Sequence, residues 1–393
     1  MAYNFDKLTD RRSSYSMKWE VSEQELPMWV ADMDFETAPE ITEALKRRAE
    51  HGIFGYTVVP DVWREAITGW WERRHGFVMD KEWLVFTTGV VPAISSAVRK
   101  LTAVGENVLV QPPVYNIFFN SIRNNGRNVL ENRLLYKAGT YQIDWMDLER
   151  KLSEPQTTLM ILCNPHNPIG SIWTREELGR IGELCAANHV RVISDEIHCD
   201  LTDPGYEYIP FASVSEVCAQ NSVTCIAPTK AFNLAGLQTA AVMVPGEELR
   251  HKMERALNTD EVAEPNAFAI EAAIAAFTKG DGWLDALRGY LADNKETVRN
   301  FLKTEAPDVS VVPSHATYLL WLDCRKIIGD VSELCRYLRS ETGLYLSAGM
   351  AYGGNGREFL RMNTACPEER LMDGLKRLKK GVKSYEDYVA ESC

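Results

Sequence analysis

The chain has 393 residues, 45% hydrophobic and 25% charged, the composition of a folded protein long enough for two hydrophobic cores. Its 43 basic against 55 acidic residues leave a net charge of −12, which argues against nucleic acid or an anionic membrane surface as the main partner and favours small-molecule chemistry. No apolar run of membrane-spanning length occurs and "MAYNFDKLTDRRSSYSMKWE" has no apolar leader, so a cytoplasmic location is expected.

In chain order, residues 1–35 read as irregular and aromatic, 36–50 as a capped helix ("TAPEITEALKRR"), and 61–75 as another. From about 84 to 245 short apolar runs alternate with amphipathic ones. The expected strands are 84–87, 107–110, 127–133, 158–163, 190–195, 222–227 and 240–244, with helices at 91–103, 114–124, 144–152, 174–188 and 213–220. This pattern predicts an α/β, three-layer fold: a seven-stranded, mainly parallel sheet with helices on both faces. After 246 come helical stretches including 266–277 and 283–305, strands in "VSVVP", "YLLWLD" and "REFLRM", and helices at 331–341 and 367–382. The expected domains are a large one over 48–285 and a smaller α+β one from 1–47 and 286–393, with a cleft between them. Nine cysteines without a C-x-x-C pair, several inside apolar runs, are expected to be buried free thiols, and no metal is expected.

Ligands of open α/β sheets sit at the carboxyl ends of the strands, and here those ends are polar: "TTGVVPA", "QPPVYN", "NPHNPIG", "DEIHCD" and "PTK". Backbone N–H groups at Gly89, Val90 and Val91 start a helix and can cradle a phosphate, though an ordinary strand–helix turn has the same sequence. Asp195 ends an apolar strand, where a solvated carboxylate is the alternative. Asn167 lies in a turn, where it can serve the turn alone. Tyr115 can stack on a flat ring or fill the core. Lys230 stands among small and apolar residues, "APTKAFNLAGL". Desolvation there would lower its pKa and free its amine as a nucleophile, unless the side chain snorkels to solvent. Taken together, a phosphate cradle, a stacking aromatic, a carboxylate and a desolvated lysine meet the needs of pyridoxal 5'-phosphate.

Eight stretches in order, "PMWVADMDF", "GYT", "TTGVVPAISSAVR", "PPVY", "NPHNPIG", "SDEIHCDL", "APTKAFNLAGL" and "FLRMN", resemble the fold-type I pyridoxal phosphate enzymes, and among them the cystathionine β-lyase or cysteine C–S lyase branch. The resemblance implies that Lys230 binds the cofactor aldehyde, Asp195 pairs with its ring nitrogen, and Asn167 hydrogen-bonds the ring oxygen. It implies that Tyr115 stacks on the ring and that Gly89, Val90, Val91 and Thr229 hold the phosphate. Tyr56 would reach the cofactor of a neighbouring subunit in a homodimer, and Arg361 would clamp the substrate carboxylate opposite Val30 and Ala31. The chain departs from many aminotransferases of this fold at Ala227, Gln238 and His198, changes that go with the lyase branch, with His198 expected beside the cofactor. Asn116 departs from the lyases, which carry a second tyrosine there. The expected reaction is α,β-elimination of L-cystathionine and related cysteine S-conjugates to a thiol, pyruvate and ammonia, with Lys230, Tyr56 and Tyr115 as the catalytic side chains. An aminotransferase on the same fold, or a cofactor-binding regulatory protein, are the alternatives.

Overall fold

A computed structural model describes residues 3–327 and 329–392. The N-terminal segment is mostly irregular, with a short strand β1 (Leu26–Pro27), followed by α1 (Pro39–Glu50) and α2 (Asp61–His75). Then come β2 (Leu84–Thr87), α3 (Val90–Leu101), β3 (Asn107–Val110), α4 (Ile117–Arg123), β4 (Asn128–Glu131), β5 (Leu135–Lys137), β6 (Thr140–Gln142), α5 (Trp145–Leu152), β7 (Thr157–Cys163), α6 (Arg175–Ala187) and β8 (Arg191–Asp195). The alternation closes with α7 (Glu216–Gln220), β9 (Ser222–Ile226) and β10 (Ala240–Met243).

Seven of these strands form one sheet in the order β2-β10-β9-β8-β7-β3-β4. Only β10 runs antiparallel to its neighbours, so β2 and β9 point the same way as the rest. All the remaining carboxyl ends therefore meet at one edge, as the sequence pattern predicts. The strand period of two sets the faces. Val108, Val110, Leu159 and Ile161 pack with residues of α3 and α4 and with Leu249, Met253 and Leu257, while Leu109, Met160 and Leu162 pack with Leu148 of α5 and Leu178 and Ile181 of α6. Each is essentially solvent-free, worth about 1.5–3 kcal/mol of transfer free energy per side chain. Sheet and helix ends agree with local chemistry: α6 opens with a Thr174/Glu177 capping box, and α5 with Asp144 accepting from Asp147 N.

Helices α8 (Glu247–Thr259), α9 (Ala269–Lys279) and α10 (Asp281–Glu305) lead into β11 (Ser310–Val311), β12 (Leu319–Asp323), α11 (Val331–Thr342), β13 (Leu344–Tyr345), β14 (Ser347–Ala348), β15 (Phe359–Asn363) and α12 (Glu368–Ser392). A second, antiparallel sheet, β11-β12-β15-β14, buries Leu320, Leu322, Leu360 and Met362 against Leu334, Leu338, Leu371 and Leu375. Strand β1 pairs in parallel with β13, Leu26 opposite Leu344, so the N-terminal segment is stitched to the C-terminal third.

Three expectations need correction. The helix expected over 114–124 starts at Ile117, Val114 being tied elsewhere, its N–H donating to Tyr352 O at 2.9 Å. The helix expected over 213–220 is α7, five residues capped by Ser215, after a separate turn at Phe211–Ser213. The β5–β6 hairpin falls between the expected strand 127–133 and helix 144–152, where no element is expected. The eight described cysteines are free and buried, as expected. Among the described residues no helix is long and apolar enough to cross a membrane.

Candidate active site

Past β9 the chain turns through Ala227–Pro228–Thr229 into Lys230. Asn233, at φ 57°, holds this turn against the N-terminal segment: its side chain donates to Met33 O and Phe35 O and accepts from Met33 N. That segment, Trp29–Met33, crosses in front of Lys230 as a strap without regular structure, so its carbonyls are free to accept from side chains. Lys230 Nζ donates to Ala31 O at 2.6 Å. Burial, and then the positive Arg361, lower its pKa to about 8, with Asp32 and Asp195 opposing the shift. Burial thus disfavours the charged amine, although Lys230 keeps part of its surface exposed.

Asp195 closes β8, beside β9 and β7 in the sheet. Its carboxylate accepts one hydrogen bond, from Ile197 N at 3.2 Å. Burial raises its pKa to about 7, the Ile197 N–H and the Lys230 charge offsetting only part of the cost. Asn167 follows β7 and is buried, its Oδ1 accepting from Arg361 Nη1 at 3.3 Å. Tyr115 lies near both: burial and the Asp195 charge raise its phenol to about 12, and Arg361 pulls it back. His198, 3% exposed, is held near pKa 3 by burial and by the Lys230 and Arg361 charges, and is thus neutral at physiological pH. Its Nδ1 is buried without a partner.

Arg361 comes from β15, opposite Trp321 of β12. Its Nη2 donates to Trp29 O at 2.7 Å and its guanidinium lies 4.9 Å over the Tyr352 ring, leaving Nε buried and unpartnered. On the far side of the edge, the ends of β2 and β9 place Gly89 and Thr229 at the same rim. Gly89 precedes α3, and the first N–H groups of that helix, at Val90 and Val91, have no intrahelical partners. Val30 and Ala31 belong to the strap. Lys230, Asp195, Asn167, Tyr115, His198, Arg361 and Ala31 are thus joined by contacts or by the charges they exert on one another. Tyr56 is apart: it is fully exposed and makes no hydrogen bond or ring contact among the described residues.

Several members of this cluster gave no signal in sequence. Asn363 donates from Nδ2 to both Val30 O and Asp32 O at 2.6 Å, and its backbone N bonds Met28 O. Tyr318, fully buried, donates to Ala31 O at 3.0 Å. Behind the strap, Asp34 is buried among Arg11, Lys18 and Arg370. Burial alone would raise that carboxyl, but Lys18 and Arg370, with hydrogen bonds from Trp19 and Arg11, hold it at about 2. Asn363 stands in a quoted motif, yet only the fold shows what its side chain touches.

Known proteins resemble this chain along nearly its whole length. Cystathionine beta-lyase PatB of Bacillus subtilis (strain 168) is 45% identical over 382 residues, covering 96% of this chain and 99% of the relative. The crystal structure of cystalysin from Treponema denticola, which contains a pyridoxal 5'-phosphate cofactor, superposes with a TM-score of 0.95 at 30% identity, covering 98% of this chain and all of that one. The PLP-bound C-S lyase from Staphylococcus hominis superposes with a TM-score of 0.91 at 32% identity, covering 97% of this chain and 98% of that one. Residues 26–378 match the family described as aminotransferase class I and II, and the chain belongs to that family.

Proposed function

We propose that the protein is a pyridoxal 5'-phosphate-dependent carbon–sulfur lyase that cleaves L-cystathionine and related cysteine S-conjugates by α,β-elimination, releasing a thiol, pyruvate and ammonia. One observation carries this reading: the Lys230 amine, its pKa lowered to about 8, lies within the fields of both the Arg361 guanidinium, whose Nε is buried and unpartnered, and a buried carboxyl, Asp195. The relatives named above, two of them lyases on this fold with the cofactor in place, support it.

The residues fit the cofactor. Asp195 is a buried carboxyl with one hydrogen bond among the described residues, and a protonated ring nitrogen would give it a counter-charge. His198 Nδ1 is a buried polar atom awaiting a partner. Lys230 would carry the cofactor aldehyde, Tyr115 would cover the ring, Asn167 and His198 would serve the ring side, and the α3 N–H groups with Thr229 would take the phosphate. When bound, the cofactor supplies an electron sink for the charge left at the substrate Cα.

The chain's own residues do the rest. Arg361 would grip the substrate carboxylate in bidentate fashion, with Nε then partnered, and the strap backbone at Val30 and Ala31 would close the other side. Lys230, released as a neutral amine near pH 8, takes the Cα proton. As the C–S bond breaks, Lys230 or a tyrosine returns a proton to the departing sulfur. Tyr115, with its phenol near 12, is a proton donor at neutral pH and not a base. Asp195 would hold the ring nitrogen in its protonated form. We further propose a homodimer in which Tyr56 crosses to the partner copy; the neighbouring Ile53, Phe54 and Val58 are 55–76% exposed, an apolar stretch that a second copy would cover.

Purified protein given L-cystathionine and no oxo acid should release pyruvate and thiol through many turnovers. Turnover that requires an added 2-oxo acid would replace this reading with transamination, the other chemistry of the family to which the chain belongs. Gel filtration at twice the chain mass of 44.4 kDa is expected, and a monomer would refute the crossing Tyr56.

A further inference from the structure

The four strap carbonyls other than that of Ala31 are all held from outside the strap. Trp29 O accepts from Arg361 Nη2 at 2.7 Å and Ser347 Oγ at 3.1 Å, Val30 O and Asp32 O accept from Asn363 Nδ2, and Met33 O accepts from Arg11 Nη1 at 2.9 Å and Asn233 Nδ2 at 3.0 Å. The backbone is pinned on both sides of Ala31, which makes the Ala31 carbonyl a stationary acceptor. Two donors reach it, Lys230 Nζ at 2.6 Å and Tyr318 Oη at 3.0 Å. A carbonyl oxygen has two lone pairs, so both are accommodated at once. Tyr318 leads into β12 with its ring enclosed and the His198 ring edge-on at 6.3 Å, and no step above uses it.

The two donors differ in mobility. Lys230 has to leave the carbonyl to engage the cofactor, whereas a hydroxyl on a packed ring stays. We propose that Tyr318 is a positioning residue that keeps the half-buried Ala31 carbonyl hydrogen-bonded whenever Lys230 is away, so that the amine passes between carbonyl and cofactor without leaving that acceptor bare of a protein partner. The proposal rests on Lys230 being the cofactor-bearing lysine. A hydrogen bond exchanged for another is nearly neutral, whereas a buried acceptor left without a partner is costly. Without the hydroxyl, the carbonyl would retain the amine and compete with the cofactor for it.

The test is a double-mutant cycle on the cofactor-free full chain, with Tyr318→Phe and Lys230→Met made singly and together and unfolding followed in urea. With Lys230 present, Tyr318→Phe should change the unfolding equilibrium constant by less than about threefold, because the amine still serves the carbonyl. With Lys230→Met the same change should lower it by roughly tenfold or more. In addition, absorbance titration should show Tyr318→Phe binding pyridoxal 5'-phosphate about tenfold more weakly than the native chain. This titration decides the matter alone if Lys230→Met does not fold. Equal costs in both backgrounds, an unfolded Tyr318→Phe chain with Lys230 intact, or unchanged cofactor affinity each overturn the proposal. The cycle needs neither cofactor nor substrate, so a failure of the lyase reading registers separately, as absent pyruvate release by native protein.

Discussion

Replacing Asp195 by asparagine should stabilise the cofactor-free protein while weakening its hold on pyridoxal 5'-phosphate. The carboxyl is enclosed at the end of β8 with a single hydrogen bond among the described residues, and burial, only partly offset, raises its pKa from 3.8 to about 7. Between those two values the folded protein keeps a proton that the unfolded chain has released. Stability therefore falls as pH rises through that window and levels off above about 7. At 1.36 kcal/mol per pH unit the full penalty is about 4 kcal/mol. Asparagine escapes the charge but must place an amide in the same enclosure, so the net gain should be about 1–3 kcal/mol at pH 8 and smaller at pH 5. Urea denaturation of cofactor-free native and Asp195→Asn protein at both pH values measures it. In the presence of the cofactor the sign reverses, since the ring cation loses its counter-charge, and affinity should fall by about tenfold or more. A variant destabilised at pH 8 without cofactor, or a gain that shrinks between pH 5 and pH 8, would refute the electrostatic account.

Other expectations follow from the same geometry. Lys230→Ala should lose the visible absorption band of the lysine-bound cofactor, and a variant that keeps the band unchanged would show that another lysine carries it. The rate at which cofactor-free protein takes up pyridoxal 5'-phosphate should climb with pH through about 8, where the Lys230 amine becomes neutral; a midpoint at the ordinary lysine value of 10.5 would mean a solvated amine. Arg361→Lys keeps the charge but loses the fork that bonds Trp29 O and Asn167 together, and KM for L-cystathionine should rise about ten- to a hundredfold with a smaller effect on kcat. An unchanged KM would place the carboxylate elsewhere.

The central sheet was readable in sequence because its strands are short apolar runs closed by a polar residue, which fixes both the strand and the end at which chemistry collects. Asp195 closes β8, and Asn167 and Lys230 come just past β7 and β9, so each follows from the run before it. The strap was not readable, since residues 29–33 carry neither a helical nor a strand period and take their shape from side chains far along the chain. Lys230 meets Ala31 across 199 positions, and Tyr318 meets it across 287. Likewise β1 is two residues long and exists only through Leu344 and Tyr345. Arg361 and Asn363 sit in a strand whose pattern marks it as core, and no local feature separates a buried clamp from a buried brace.

The ion cluster around Asp34 also sets an order of events during synthesis. The strap and its anchors Arg11 and Lys18 leave the ribosome first, but Arg361, Asn363 and Arg370 come from the last tenth of the chain. A nascent chain can complete the seven-stranded sheet, and with it Lys230 and Asp195, while the strap still lacks its fastenings from Tyr318, Ser347, Arg361 and Asn363. The strap beside Lys230 is therefore fully fastened only once residues synthesised early meet β15 and α12, synthesised late.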